Sequence, residues 1–89
     1  MPYINEKTRE YYRGPLQIIL DQIEGLHPGV GDLNYIITKI CLAYLAGTKE
    51  SYAEYNNLIG VLECAKQELY RRRILKYEDK KIEENGDVY

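Results

Sequence analysis

Four kinds of side chain in this 89-residue chain have chemistry beyond packing: spaced carboxylates, one histidine, two cysteines and a run of bases. Carboxylates three residues apart on a helix share a face and can hold one divalent cation between them. Two such pairs occur, Asp21-x-x-Glu24 and Glu84-x-x-Asp87, and no Glu-x-x-Glu. The second pair spans the turn signal Asn85-Gly86. His27 is the only histidine and no Cys-x-x-Cys is present, so a His/Cys metal site is not expected. A general base needs positioned partners, and His27 beside Pro28 reads as a loop residue instead. Cys41 and Cys64 each lie inside an apolar helical pattern. They read as small buried hydrophobes in a reducing compartment, with a bridge between them left open. The expectation is no cofactor, no metal ligand and no catalytic residue.

A quieter polar set lies on two helical patterns. Tyr52, Asn56, Ile59, Glu63, Lys66 and Tyr70 recur at alternating spacings of four and three beside an apolar stripe. Asn34 and Thr38 stand one turn apart beside a second stripe. If those helices pack antiparallel, Asn34, Thr38, Asn56, Glu63, Lys66 and Tyr70 meet at the edge of the core, where polar groups specify register or partner. These six are the candidate binding or interface residues. The bland alternative is that Glu63 and Lys66 form an ordinary surface pair. Lys66, Arg71, Arg72, Arg73, Lys76, Lys80 and Lys81 outnumber Glu68, Glu78 and Asp79 in the same stretch. Consecutive helical residues point about 100° apart, so three arginines in a row do not make one patch. With net charge −2 and an acidic tail nearby, nucleic acid is not an expected partner.

The elements that must position these residues are helical. A short helical turn is expected after Asn5, with Asn5 as cap and Glu6 in the first turn, ended by Gly14-Pro15. Pro15 then suits the first position of a new helix carrying Leu16, Ile19, Leu20 and Ile23. Gly25 and the segment 27–31 stop it and form the clearest loop. Asp32 is the expected N-cap of a helix over 33–46, whose stripe runs from Leu33 through Ile36, Ile37, Ile40 and Cys41 to Tyr44 and Leu45. Gly47 is expected to end it in a left-handed conformation. Ser51-Tyr52-Ala53-Glu54 has the form of a capping box, so a third helix begins at residue 52. Its stripe is Tyr55, Leu58, Leu62, Ala65 and Leu69, and the pattern can extend to Ile82, about 45 Å of helix. The fold class is all-α: a small bundle of two shorter helices and one long C-terminal helix, a single domain over 1–82 with an acidic tail over 83–89.

So small a chain gains stability from disulfides, a metal or oligomerisation. The first two find little support in the residues, which leaves a homo-oligomer as the expected partner state and another protein as the second. Ten tyrosines with no phenylalanine or tryptophan point the same way, because tyrosine is enriched at interfaces. Half-exposed core edges are their plainer reading. No apolar run reaches the roughly 20 residues that span a bilayer, and residues 1–7 lack the apolar stretch of a secretory signal. No membrane partner and a cytoplasmic location are expected.

The segments Met1-Pro2-Tyr3-Ile4, Gly31-Asp32-Leu33-Asn34-Tyr35, Ile59-Gly60-Val61-Leu62-Glu63-Cys64-Ala65-Lys66, Glu68-Leu69-Tyr70-Arg71-Arg72, Tyr77-Glu78-Asp79-Lys80 and the closing Glu84-Asn85-Gly86-Asp87-Val88-Tyr89 resemble a family of small uncharacterised proteins from bacteria, archaea and phages. That resemblance covers most of the chain and implies no activity and no catalytic residues. The expected function is an oligomeric interaction or accessory module. The alternative is a small metal-dependent nucleotide hydrolase of the all-α type, which shares a fold style and little else.

Overall fold

The computed structural model describes residues 3–89; Met1 and Pro2, which open the Met1–Ile4 segment, lie outside them. The fold is all-α, with no strand among the described residues. Helix α1 is Glu6–Leu26 and α2 is Val30–Ala46. Helix α3, Tyr52–Leu69, passes through a π turn, Tyr70–Ile74, into α4, Leu75–Asn85. The last three form one helix of 34 residues, against 21 and 17 for the others. The described chain divides into two units, residues 3–55 and residues 56–89.

Asn5 caps α1 as its side chain allows: Oδ1 accepts the Thr8 N–H at 2.8 Å. Glu6 in the first turn takes the Arg13 guanidinium at 2.9 Å and faces Arg9 at 3.8 Å. The expected break at Gly14-Pro15 does not occur; α1 runs straight through it. The α conformation before a proline is disfavoured by clashes of the ring with the preceding N–H and Cβ, and Gly14, having no Cβ, removes one of the two. The cost is confined to the Tyr11 carbonyl, which loses its amide donor on a well-exposed stretch of helix. Gly25 does not stop the helix either. The stop is His27, in a left-handed conformation at φ 48° with its N–H on the Ile23 carbonyl at 3.2 Å, followed by Pro28, which cannot continue the turn.

Helix α2 starts three residues before the expected site. Gly29 caps it without a side chain, its carbonyl taking the Leu33 N–H at 3.1 Å, so Asp32 sits inside the first turn. An acidic residue there still suits the positive end of the helix. Gly47 does not adopt the expected left-handed stop but stays near the helical region at φ −81°. Thr48 satisfies the end instead, directing its N–H and its hydroxyl to the Leu45 carbonyl at 3.0 and 2.9 Å. Helix α3 begins at Tyr52, with the Glu54 N–H on Ser51 Oγ at 3.3 Å. Only this half of the expected capping box forms. The Glu54 carboxylate accepts the Tyr44 hydroxyl at 2.7 Å rather than reaching back to the cap.

The π turn lies where the apolar stripe loses phase. Continuing from Leu69 at the same spacing leads to Arg72 and Lys76, while the distal apolar residues Ile74, Leu75 and Ile82 fall on other faces. One widened turn, closed by the Leu75 N–H on the Tyr70 carbonyl, lies at this change of face. No described residue is buried. Ile23, Ile36, Cys41, Leu45, Leu58 and Ile74 are half-buried. Both thiols are free, and Cys64, expected inside, is exposed because its helix has no covering layer within residues 56–89.

Two substitutions test these assignments. Ser51→Ala removes the cap of α3 and should lower stability by about 1 kcal/mol; an unmoved urea midpoint would place the helix start elsewhere. Pro15→Ala returns a donor to the Tyr11 carbonyl and should raise stability, by up to about 3 kcal/mol. A neutral or destabilising result would mean that α1 is broken at Gly14 after all.

Candidate functional site

Both halves of the polar set close on local partners. On α2, the Thr38 hydroxyl donates to Asn34 Oδ1 at 3.1 Å. On α3, the Glu63 carboxylate accepts from the Lys66 ammonium and from the Gln67 side-chain amide, each at 3.2 Å. The Gln67 hydrogen bond, then that of Lys66 and its charge, hold the Glu63 carboxyl below the usual carboxylate range. Half of the Glu63 side chain is exposed, so in the single chain this is the surface pair of adjacent turns. Asn56 lies on the exposed side of the early α3 turns. The Tyr70 hydroxyl leaves the set and donates to Glu78 at 2.9 Å, across the π turn.

Tyr70 belongs to a pattern that spacing alone does not reveal. Three tyrosine hydroxyls each donate to a carboxylate: Tyr44 to Glu54 at 2.7 Å, Tyr55 to Glu50 at 2.9 Å, and Tyr70 to Glu78. These three are also the least exposed of the tyrosines, at 44%, 45% and 42%. The first two cross the link between α2 and α3 in opposite senses. The last turn of α2 donates to the first turn of α3, and Tyr55 reaches back to Glu50 in the link. Each phenol is pushed above its ordinary value, first by its hydrogen bond to the carboxylate and further by that carboxylate's charge and by desolvation. The partners are ten, five and eight residues apart, outside the one-turn rules that make helical pairs legible.

The arginine run is drawn inward. Arg71 donates to both oxygens of Glu68 at 3.1 and 3.2 Å, and Arg72 Nε to one of them at 2.9 Å. Two bases of the widened turn therefore converge on one half-buried carboxylate just before it, leaving less positive surface than the run of three suggests. Three of the four carboxylates considered for a metal are engaged separately. Asp21 accepts from Gln17 at 2.8 Å, Glu84 from Lys81 at 3.4 Å, and Asp87 from the Tyr89 N–H at 2.8 Å. Because α4 ends at Asn85, Glu84 and Asp87 share no helix face. Among the described residues no three His, Cys, Asp or Glu side chains come together. The hydrolase alternative finds no support in this geometry.

Within residues 3–55, side chains of α1, α2 and the turn between them line an open groove of about 650 Å³. Ile19 and Ile23 face Tyr35, Ile36 and Ile40 across it, with Asp32 and Lys39 on the α2 side. The Lys39 ammonium stands over the Tyr35 ring, 5.7 Å from its centre. The apolar periodicity of each helix contains these residues, but their convergence depends on the three-residue turn at 27–29, shorter than the expected loop.

The family model for a domain of unknown function (DUF6899) matches residues 1–88. No curated protein and no solved structure matches the chain.

Alkaline titration tests the tyrosine pairs. A phenol whose folded value is raised adds stability that is complete below the ordinary tyrosine range and is lost as pH rises through the raised value. The Tyr44, Tyr55 and Tyr70 phenols should thus ionise late in an absorbance titration. Tyr44→Phe and Tyr55→Phe should each remove one equivalent from the late limb. A late limb that neither substitution shortens would show that the pairs do not form in solution.

Proposed function

The chain belongs to the DUF6899 family, and we propose that this domain acts as a helical interaction module that completes its core by assembling with further copies of itself. The supporting observation is that no described residue of an amphipathic all-α chain is buried. Residues 56–89 make the case without reference to the rest of the chain: they are one helix and a short tail, and Ile59, Val61, Leu69 and Leu75 remain exposed on them. A lone helix is marginal in water.

The polar groups fit the same reading. Glu50, Glu54, Glu63, Glu68 and Glu78 are each held by a phenol, an ammonium, an amide or a guanidinium of the same chain. They shape and solubilise helices and leave no acid–base pair aimed at a common point. Among the described residues no helix is long and apolar enough to cross a membrane, so bilayer insertion of α3 does not provide the cover.

Sedimentation equilibrium over a tenfold range of micromolar concentration should give a mass that is a multiple of 10.4 kDa. A constant mass near 10.4 kDa would overturn the proposal.

A further inference from the structure

We infer that α1 is hinged at Gly14-Pro15, so that residues 6–13 swing as a helical arm while residues 16–26 keep their place along the groove. Three observations coincide at that junction. The first is the backbone. Pro15 has no N–H to give the Tyr11 carbonyl, so one hydrogen bond of the helix is missing beside Gly14, the residue type with the freest backbone. Sharp bends in helices gather at such positions. The second is the space around the junction. A Cβ built on Gly14 meets nothing within 4 Å, so no neighbouring group props the helix from that side. Tyr11 and Tyr12, in the turn before it, are exposed.

The third is a change of character. Before the junction the helix carries Glu6, Lys7, Arg9, Glu10 and Arg13; after it come Leu16, Ile18, Ile19, Leu20 and Ile23. The groove takes its α1 lining from Ile19, Gln22, Ile23 and Leu26, all beyond the junction. Side-chain bonds divide in the same way. Arg13 reaches back to Glu6 at 2.9 Å, and Gln17 reaches forward to Asp21 at 2.8 Å. Among the described residues no side-chain hydrogen bond or ion pair spans the two sides. The arm stays wound as it swings, because Asn5 caps it and the amides of residues 16–18 still hold its last turn. A contact made by the charged arm can therefore change direction without moving the apolar wall.

Residual dipolar couplings of the full chain in a weakly aligning medium test this. Residues 6–13 and residues 16–26 are fitted separately for their degree of alignment, a quantity that is the same for both halves of any rigid helix, straight or bent. In wild type the arm should show the weaker alignment while its chemical shifts remain helical. Gly14→Ala combined with Pro15→Ala restores the missing donor and stiffens the backbone, and the added Cβ has room. The two halves should then align equally. Should that double variant be insoluble, Pro15→Ala alone should narrow the difference. Equal alignment in wild type, or a stronger one for the arm, would make α1 rigid at Gly14 and overturn the hinge. A weak alignment of residues 6–13 that persists after substitution is fraying of the helix end, and overturns it as well.

Discussion

A single α-helix cannot bury its own apolar stripe, and every other feature of this protein is arranged around that limit. Backbone hydrogen bonds in a helix are satisfied internally, so α3 and α4 can be drawn out to 34 residues without a polar penalty along their length. The side chains gain nothing by it. Leu62, Leu69 and Leu75 remain substantially exposed. Apolar area stabilises only when water leaves it, at about 25 cal/mol per Å², so the favourable term for residues 56–89 must come from a surface outside that unit.

Tyrosine is the aromatic residue suited to such a chain. Phenylalanine on an exposed stripe would offer apolar area alone, whereas a phenol keeps a partner for its hydroxyl whether or not its ring is covered. Tyr44, Tyr55 and Tyr70 use carboxylates of their own chain, and the reciprocal pair across the α2–α3 link fixes where one helix ends and the next begins. Their rings still present an edge to whatever packs above. Order at the link thus comes from directional bonds and leaves the apolar faces available.

Local chemistry was legible and its competition was not. Asn5 and Ser51 cap the helices that their side chains announce, because a cap is settled within four residues. The all-α class and the long last helix follow from periodicity in the same way. Gly14-Pro15 was misleading because part of the clash that ends a helix before proline is with a Cβ, and glycine has none. Asp32 is a competent cap, but Gly29 three residues earlier lets the helix start sooner, and the earlier start gains backbone bonds. Glu54 has two uses for one carboxylate, and the phenol of Tyr44 wins over the amide of Ser51. That choice depends on a residue ten positions away. The groove was hidden for a similar reason: its residues were visible as two stripes, but which of them line one concavity depends on the turn between the helices.

The π turn shows how the two scales meet. A stripe repeating at three and four residues stays on one face only while the backbone keeps a regular pitch. After Leu69 that repeat delivers arginine and lysine, so a strictly regular helix would present charge where its first half presents leucine. Widening one turn changes the azimuth of everything beyond it, and it does so at the position where Glu68 gathers Arg71 and Arg72. The carboxylate offsets two bases that would otherwise repel each other within consecutive residues, which makes the widened turn easier to hold. The long helix therefore carries two apolar surfaces of different direction, one ending at Leu69 and one built from Ile74, Leu75 and Ile82. A surface that needs one partner before the turn and has a second direction after it is suited to assembly, since the second direction stays available once the first is covered.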